Sequence, residues 1–322
     1  MAHKVPKTTN QLMRYLRDIK GIQIGGSRQK QALRNMGYYH GYKGYRFYGS
    51  VKSQLPYSDF TELKAVYDFD MLMKTLLYPW VMFLETAFKN HTLEIILDKA
   101  QSESFEDVCK AVLSNANPRK LLGFYQSIYD ALNHDYRQKP VVTHFYDRDK
   151  PVPIWALFEI ISMGNFGAFV ECLEQCYREE LSETMHLPQM TNCDQEYRLP
   201  QYLVYTLRDL RNAIAHNLPI YDVRFNLNNK YTNRTVHKCV GEYMKRETGI
   251  ATWKWDNIAD YVLLIAQLLE KFGVDRTEIR DNVLVRFLEH CDAFSNSVTA
   301  KEIVGMVMPQ QCVEKIRQYL GH

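Results

Sequence analysis

An arginine, an amide and a histidine crowd the end of one helical stretch, Arg211, Asn212 and His216 in "LRDLRNAIAHNLPIYD". Residues four apart share a helix face, so Asn212 and His216 stack, and Arg208 lies one turn before Asn212. Arg211 sits at the edge of that surface, about 140° from His216 by helical arithmetic. Pro219 predicts a helix end near His216, where the helix dipole favours a protonated imidazole. Such a set fits RNA cleavage without a metal. That reaction needs a base for the 2′-OH proton, an acid for the leaving 5′-oxygen and a cation for the charge on the phosphorane. His216 can serve as base or acid, and Arg211 as phosphate clamp. One histidine rarely does both jobs, so a second copy across a two-fold would supply the partner group.

A second stretch, "RNMGYYH" from Arg34 to His40, has similar spacing. Gly37 should end its helix and leave Arg34 and His40 on different elements. The block "YYHGYKGYRFYG" reads better as an aromatic-basic RNA contact. Tyr38, Tyr39, Tyr42, Tyr45 and Tyr48 interleave with His40, Lys43 and Arg46, and glycines bring backbone near a ligand. Residues 1–50 hold ten Lys and Arg against one acid, Asp18, while the rest of the chain is mildly acidic. Arg14, Arg17, Lys20, Arg28, Lys30 and Arg34 complete this basic arm, which points to a polyanion partner. Arg208 joins the RNA-contacting set. Lys230, Arg234, Lys238, Lys245 and Arg246 form a further basic cluster.

The elements that must position these residues are helical. With 322 residues, 46% of them hydrophobic, the chain can bury a sizeable core. No run of apolar residues is long enough for a membrane span, and the start lacks a signal peptide's apolar stretch, so a cytoplasmic protein is expected. Seven scattered cysteines read as reduced thiols, and no metal site, cofactor or nucleotide-binding signature is expected.

"TTNQLMRYLRDIKG" predicts a Thr-capped helix, and "SRQKQALRNMG" one capped by Ser27 and stopped by Gly37. Residues 61–98 form a long apolar-periodic stretch that Pro79 should kink or split. Helices follow at "SFEDVCKAVLSN" and "PRKLLGFYQSIYDALNH". "KPVVTHFYDRDKPVP" reads as a loop. "IWALFEIISMGNFGAFVECLEQCYREEL" reads as two helices broken at Met163-Gly164-Asn165.

The motif helix buries Leu203, Leu207, Leu210 and Ile214, and Ala213 and Ala215 should let another helix approach. Residues 221–235 read as a loop or hairpin. "WDNIADYVLLIAQLLEKFG" is a helix capped by Asp256, and two or three short helices finish the chain. Glu85, Lys89 and His91 lie on the long helix, where the fold could bring some of them to the motif. Trp155 and Trp253 are expected in the core. The expected organisation is an all-α, multi-helix bundle: a basic arm over 1–55, a core with the R-x4-H motif over 56–222, and a helical extension over 223–322 packed on that core.

The motif helix resembles the R-N-x-x-x-H signature of HEPN domains, a superfamily of all-α RNases and RNA-binding proteins. "IKGIQIGGSRQKQALRNMGYYHGYKGYRF", "LKAVYDFDMLMKTLLYPWVMFLETAFKNHTLEII" and "VPIWALFEIISMGNFGAFVECL" resemble, in family order, blocks of bacterial abortive-infection (Abi) proteins of the AbiD/AbiF type. The likeness covers roughly residues 8–222. It implies a phage-defence protein with a HEPN fold, acting as a metal-independent endoribonuclease whose composite site forms in a homodimer. Carried over, Arg211 and His216 take the motif's Arg and His positions and Asn212 the polar position. A catalytically silent protein that holds a structured noncoding RNA, as guide, antitoxin or scaffold, is the alternative. Two departures stand out: His40 where an arginine usually follows the Tyr-Tyr pair, and Asn217 where a second histidine is common.

Overall fold

A computed structural model describes residues 7–113, 117–136, 138–148, 150–227 and 234–321. Every regular element among them is helical. The N-terminal segment builds α1 (Thr9–Arg14), prolonged by a π-helical turn over Tyr15–Ile19, then α2 (Gly26–Met36) and a second π turn over Tyr38–Lys43. Thr8 caps α1 through a reciprocal capping box with Gln11. Gly25, not Ser27, is the cap of α2; Ser27 lies inside the helix. Gly37, at φ 73°, ends α2, so Arg34 and His40 stand on separate elements. The segment is no detached arm. Leu16, Ile22, Ile24 and Leu33 are buried in the common core, and Gln23 pairs through its backbone with Ser58 and Phe60.

The axis of the molecule is α3 (Phe60–Ala100), 41 residues and about 60 Å long. Asp59 caps it, with Glu62 reaching back to complete the box. Pro79 does not split it. Pro79 stands on the exposed side, where water can satisfy the carbonyl that lost its amide partner. The opposite face, with Leu63, Val66, Met73, Leu77, Leu84 and Phe88, is buried.

Then come α4 (Phe105–Val112), α5 (Pro118–Asp135), α6 (Pro140–Tyr146), α7 (Ile154–Ile160), α8 (Met163–Cys172), α9 (Gln175–Thr184) and α10 (Leu199–Ala215). The supposed loop at 139–153 contains α6, because Pro140 occupies a first-turn position where its missing amide costs nothing. The break before α8 falls at Ile161-Ser162, and Ser162 caps α8 through the Asn165 amide. Gly164 and Asn165 therefore start a helix rather than interrupt one. Trp155 is exposed, whereas Trp253 is half-buried.

The chain ends in α11 (Lys238–Thr248), α12 (Ile258–Lys271), α13 (Arg276–Ile279), α14 (Arg286–Ser297), α15 (Lys301–Val307) and α16 (Gln310–Leu320). A π turn, Arg280–Val285, joins α13 to α14. Asn257, one residue later than Asp256, caps α12. α12 is buried on nearly every side, against α3, α11 and α16, while α14 lies along α3 with Phe294 on Phe69, ring centroids 4.8 Å apart. One continuous hydrophobic cluster runs from Leu16 to Ile316, so the last hundred residues share the core of the rest.

The motif helix α10 sits between α3, α8, α9 and α11. Of the two alanines expected at a helix contact, Ala213 is buried and Ala215 is exposed. α8 also meets α10 closely at Gly167, where a Cβ would stand 2.7 Å from the Tyr205 ring. Gly167→Ala should therefore destabilise by about 1–3 kcal/mol through overpacking, against a helix-propensity gain of roughly 0.5–1 kcal/mol. Urea unfolding of Gly167→Ala, Tyr205→Ala and the double variant checks this: the alanine at 167 should be tolerated once the ring is gone. Equal cost in both backgrounds would sink the argument.

His237 caps α11 by accepting the Cys239 N–H at 3.3 Å, with its ring stacked on Tyr202 at 3.7 Å. Burial, and then the neighbouring Lys238, lower its pKa below the usual value of 6.5. The folded chain thus binds this proton less readily than the unfolded chain. The stabilisation is whole above pH 6.5 and is lost as the pH falls below it. His237→Asn keeps a capping acceptor without the titration. The wild type should lose more stability than His237→Asn between neutral and mildly acid pH in denaturant melts; parallel pH profiles would refute this.

Candidate functional site

The end of α10 shapes the site. Leu203, Leu207 and Leu210 are fully buried and seat the helix, while Ile214 is only half-buried. The helix closes with Asn217 in the left-handed region at φ 51°. The Asn217 N–H donates to the Ile214 carbonyl at 3.0 Å, and the Leu218 N–H to the Ala213 carbonyl at 2.8 Å. This Schellman closure satisfies carbonyls that a frayed end would leave open. Asparagine suits the position because it visits left-handed backbone more readily than a histidine would. Its side chain is also engaged, Oδ1 accepting from Lys74 Nζ at 2.8 Å.

Lys74 belongs to a buried polar knot. It pairs with Asp70 at 2.8 Å, both on α3 and nearly without solvent contact. Asp70 Oδ1 accepts the backbone N–H groups of Ile220 and Tyr221 at 2.7 and 2.8 Å. Asp70 Oδ2 accepts the Tyr45 hydroxyl at 2.6 Å. Burial, and next the Asp70 carboxylate itself, raise the Tyr45 pKa far above the ordinary tyrosine value, so the hydroxyl stays a donor. The strap that follows α10 is stitched further to the N-terminal segment. Tyr221 OH donates to the Phe47 carbonyl at 2.6 Å, the Gly49 N–H donates to Asp222 at 2.8 Å, and Gly44 packs on the Pro219 ring.

Three turns farther along α3, Glu85 holds the motif arginine. Its Oε2 accepts Arg211 Nε at 3.1 Å, and its Oε1 accepts Lys89 Nζ at 3.1 Å. Lys89 also donates to the Ile161 carbonyl at 3.2 Å. Arg211 Nη1 reaches Asn212 Oδ1 at 3.4 Å, a long contact that aligns the two side chains. A buried carboxylate thus fixes the guanidinium by its Nε edge. Arg211 is itself about a third exposed, which leaves part of the fork open toward solvent. His216 is exposed at the helix end, and among the described residues its ring makes no hydrogen bond. His91 takes no part: its ring packs edge-on against Phe272 and its Nδ1 is buried without a partner among the described residues.

Arg208 is turned away from Asn212 into a pair with Asp209 and lies over the Tyr205 ring. In the N-terminal segment, Arg14, Arg17, Lys20, Arg28, Arg34, Tyr39, His40 and Lys43 are exposed, and Lys30, Tyr38 and Arg46 half-exposed. Lys43 stands over the rings of Tyr38 and Tyr39. Tyr42 and Tyr45 are core residues and offer no ring face to a ligand. Of the later basic cluster, Arg234 points inward to Asn226 and the Val223 carbonyl, and Lys230 lies outside the described residues. Among the described residues no group of histidine, cysteine and carboxylate side chains is gathered to hold a metal ion.

The roles of Asp70 and Lys74 escaped the sequence reading, whereas Glu85 stood among the long-helix residues that the fold could bring to the motif, and it does reach Arg211. Asp70 and Lys74 are one helical turn apart, as are Glu85 and Lys89, a pattern shared by ordinary surface pairs. Only the burial of both acids, in an otherwise apolar helix face, marked them out.

A family model described as Abi-like protein matches residues 31–222. That span contains the α10 closure, the Asp70 knot and the Glu85 clamp. No curated protein and no solved structure matches the chain. No helix among the described residues is long and apolar enough to cross a membrane.

Asp70→Asn should leave Lys74 buried without its counter-charge and cost about 3–5 kcal/mol. Adding Lys74→Met should recover part of that loss, since the two contributions are coupled. Equilibrium urea unfolding checks both; a loss under about 1 kcal/mol for Asp70→Asn would class the pair with ordinary surface ion pairs.

Proposed function

The chain belongs to the family of Abi-like proteins, and from that premise we propose that it is an RNA-binding abortive-infection protein of HEPN type that cuts RNA without a metal, as a homodimer. Family membership supports the phage-defence role. The observation that carries the finer reading is the contrast at the end of α10: Arg211 is anchored by a buried carboxylate, while His216 is exposed and uncommitted five residues on. An anchored cation and a free imidazole are what a phosphoryl-transfer site needs for charge stabilisation and proton transfer.

In the proposed reaction the 2′-oxygen of one nucleotide attacks its own 3′-phosphorus as His216 takes the hydroxyl proton. The O2′–P bond forms, the P–O5′ bond breaks, and the departing 5′-oxygen receives a proton from a second histidine. That group is His216 of a second copy, because one ring cannot hold both protonation states at once. Arg211 faces the phosphorane oxygens with the donors that Glu85 leaves free. Exposed Tyr78, one turn beyond Lys74, and Leu218, directly after Asn217, supply apolar surface for such a seam. The exposed basic residues of the N-terminal segment hold the RNA backbone; His40 and Lys43, on its second π turn, lead directly into Gly44 and Phe47, which pack on the strap after α10.

A second reading rests on the same atoms. Arg211 already spends Nε on Glu85 and contacts Asn212, and no neighbour orients the His216 ring. That arrangement suits a protein that holds a structured noncoding RNA without cutting it.

Labelled RNA incubated with the protein in EDTA and run on a denaturing gel separates the two. Metal-independent cleavage that falls about 10²–10⁴-fold in His216→Ala, with binding retained, is the expected result. Intact RNA bound tightly by the wild type would replace the nuclease with the silent holder.

A further inference from the structure

The stretch from α5 to the start of α7 exposes aromatic rings that no packing role accounts for. On α5 and at its C-cap, Leu122, Tyr129 and the cap residue Tyr136 are exposed and Tyr125 half-buried. These four positions fall within about 60° of one another around the helix, along a line about 21 Å long. The opposite side of α5 buries Phe124, Ile128 and Leu132. Tyr146 on α6 is 46% exposed and meets Tyr136 edge-on, centroids 5.8 Å apart. Trp155 on α7 is 41% exposed and stands edge-on to Phe145 at 6.0 Å.

The polar edges of two of these rings are tied down. Tyr136 OH donates to Asp147 at 2.8 Å, and Trp155 Nε1 to Glu103 at 3.0 Å. A ring held by its edge is oriented before anything lands on its face, which removes part of the ordering cost of binding. The flanking charge leans positive. Between residues 118 and 155, Arg119, Lys120, Lys139, Arg148 and Lys150 are exposed, Lys120 paired with Glu171 and Lys139 with Asp135, against the exposed acids Asp130 and Asp147 among the described residues and Glu103 at Trp155. A docking face for an apolar protein segment would be aliphatic, but Leu122 is the one exposed aliphatic side chain on this line. Flat rings set among cations match bases joined by phosphates.

We infer that this surface is a stacking platform for unpaired RNA, with bases on Tyr129, Tyr136, Tyr146 and Trp155 and phosphates on the flanking lysines and arginines. The inference rests on the RNA-binding reading above and adds the class of substrate, since paired bases have no free face to stack. It also assigns a role to residues remote in sequence from the R-x4-H motif.

Two measurements on the full chain test it, with a short labelled oligouridylate and a duplex RNA of equal length as probes. Trp155 is the one tryptophan of four that is exposed, so oligouridylate should quench tryptophan emission, and Trp155→Phe should abolish the quenching. Tyr129→Ala, Tyr136→Ala and Tyr146→Ala together should weaken oligouridylate binding about 10- to 100-fold and leave duplex binding unchanged. Circular dichroism confirms that each variant is folded. Unaltered oligouridylate affinity in the triple variant, or an equal loss for duplex, overturns the platform while leaving the RNA-binding reading intact. A wild type that binds neither probe overturns both.

Discussion

A carboxylate with no access to water is tolerable only when every lone pair is matched, and Asp70 meets that condition with donors from three separate parts of the chain. Tyr45 comes from the N-terminal segment, Lys74 from α3, and two backbone amides from the strap after α10. None of the three can leave without stranding a charge. The constraint therefore fixes where α10 ends relative to α3, and it holds the basic N-terminal turn against the same end. Asn217 extends the knot by one residue, using Lys74 to hold the left-handed closure. The exposed histidine beside it owes its position to buried neighbours.

The long helix divides its labour by face. One side carries the apolar contacts that make it the axis of the bundle, and a neighbouring edge carries Asp70, Lys74, Glu85 and Lys89 toward α10. Both acids turn outward-looking chemistry into inward support. Glu85 gives Arg211 a fixed edge, in place of the rotamer freedom that a surface arginine would have to lose on meeting a phosphate. The region after 222 joins the same hydrophobic cluster through α12 and α14, so the packing shows no boundary between it and the Abi-like part.

Much of this was readable from residues alone where a local rule settles the outcome. Thr8 as a cap, Gly37 as a stop and the 3.6-residue stripe of α10 all express short-range chemistry. The misreadings share a cause. Pro79 suggests a kink or a split and Pro140 part of a loop, yet Pro79 lies within one unsplit helix and Pro140 opens another, and neither setting shows in sequence. Tyr45 and Tyr42 looked like RNA-facing rings because composition cannot tell a core tyrosine from an exposed one. The motif itself was legible at Arg211, Asn212 and His216. Of its supports, Glu85 was in view only as one of three long-helix candidates and Asp70 not at all, because the contacts that join Glu85 to Arg211 and Asp70 to Ile220 span more than a hundred residues of chain.

The two grips of α3 on α10, at Lys74 and at Glu85, are eleven residues apart, about 16 Å and close to three whole turns. The helix thus behaves like a key cut with two teeth on one edge. Inserting or deleting a single residue between them would swing one tooth by about 100° relative to the other, so that only one could engage. A change of length that keeps both grips must restore the phase, near seven or eleven residues, whereas a point change on the outer face leaves the phase untouched. The spacing of the teeth, more than the identity of the surface between them, sets whether both engage.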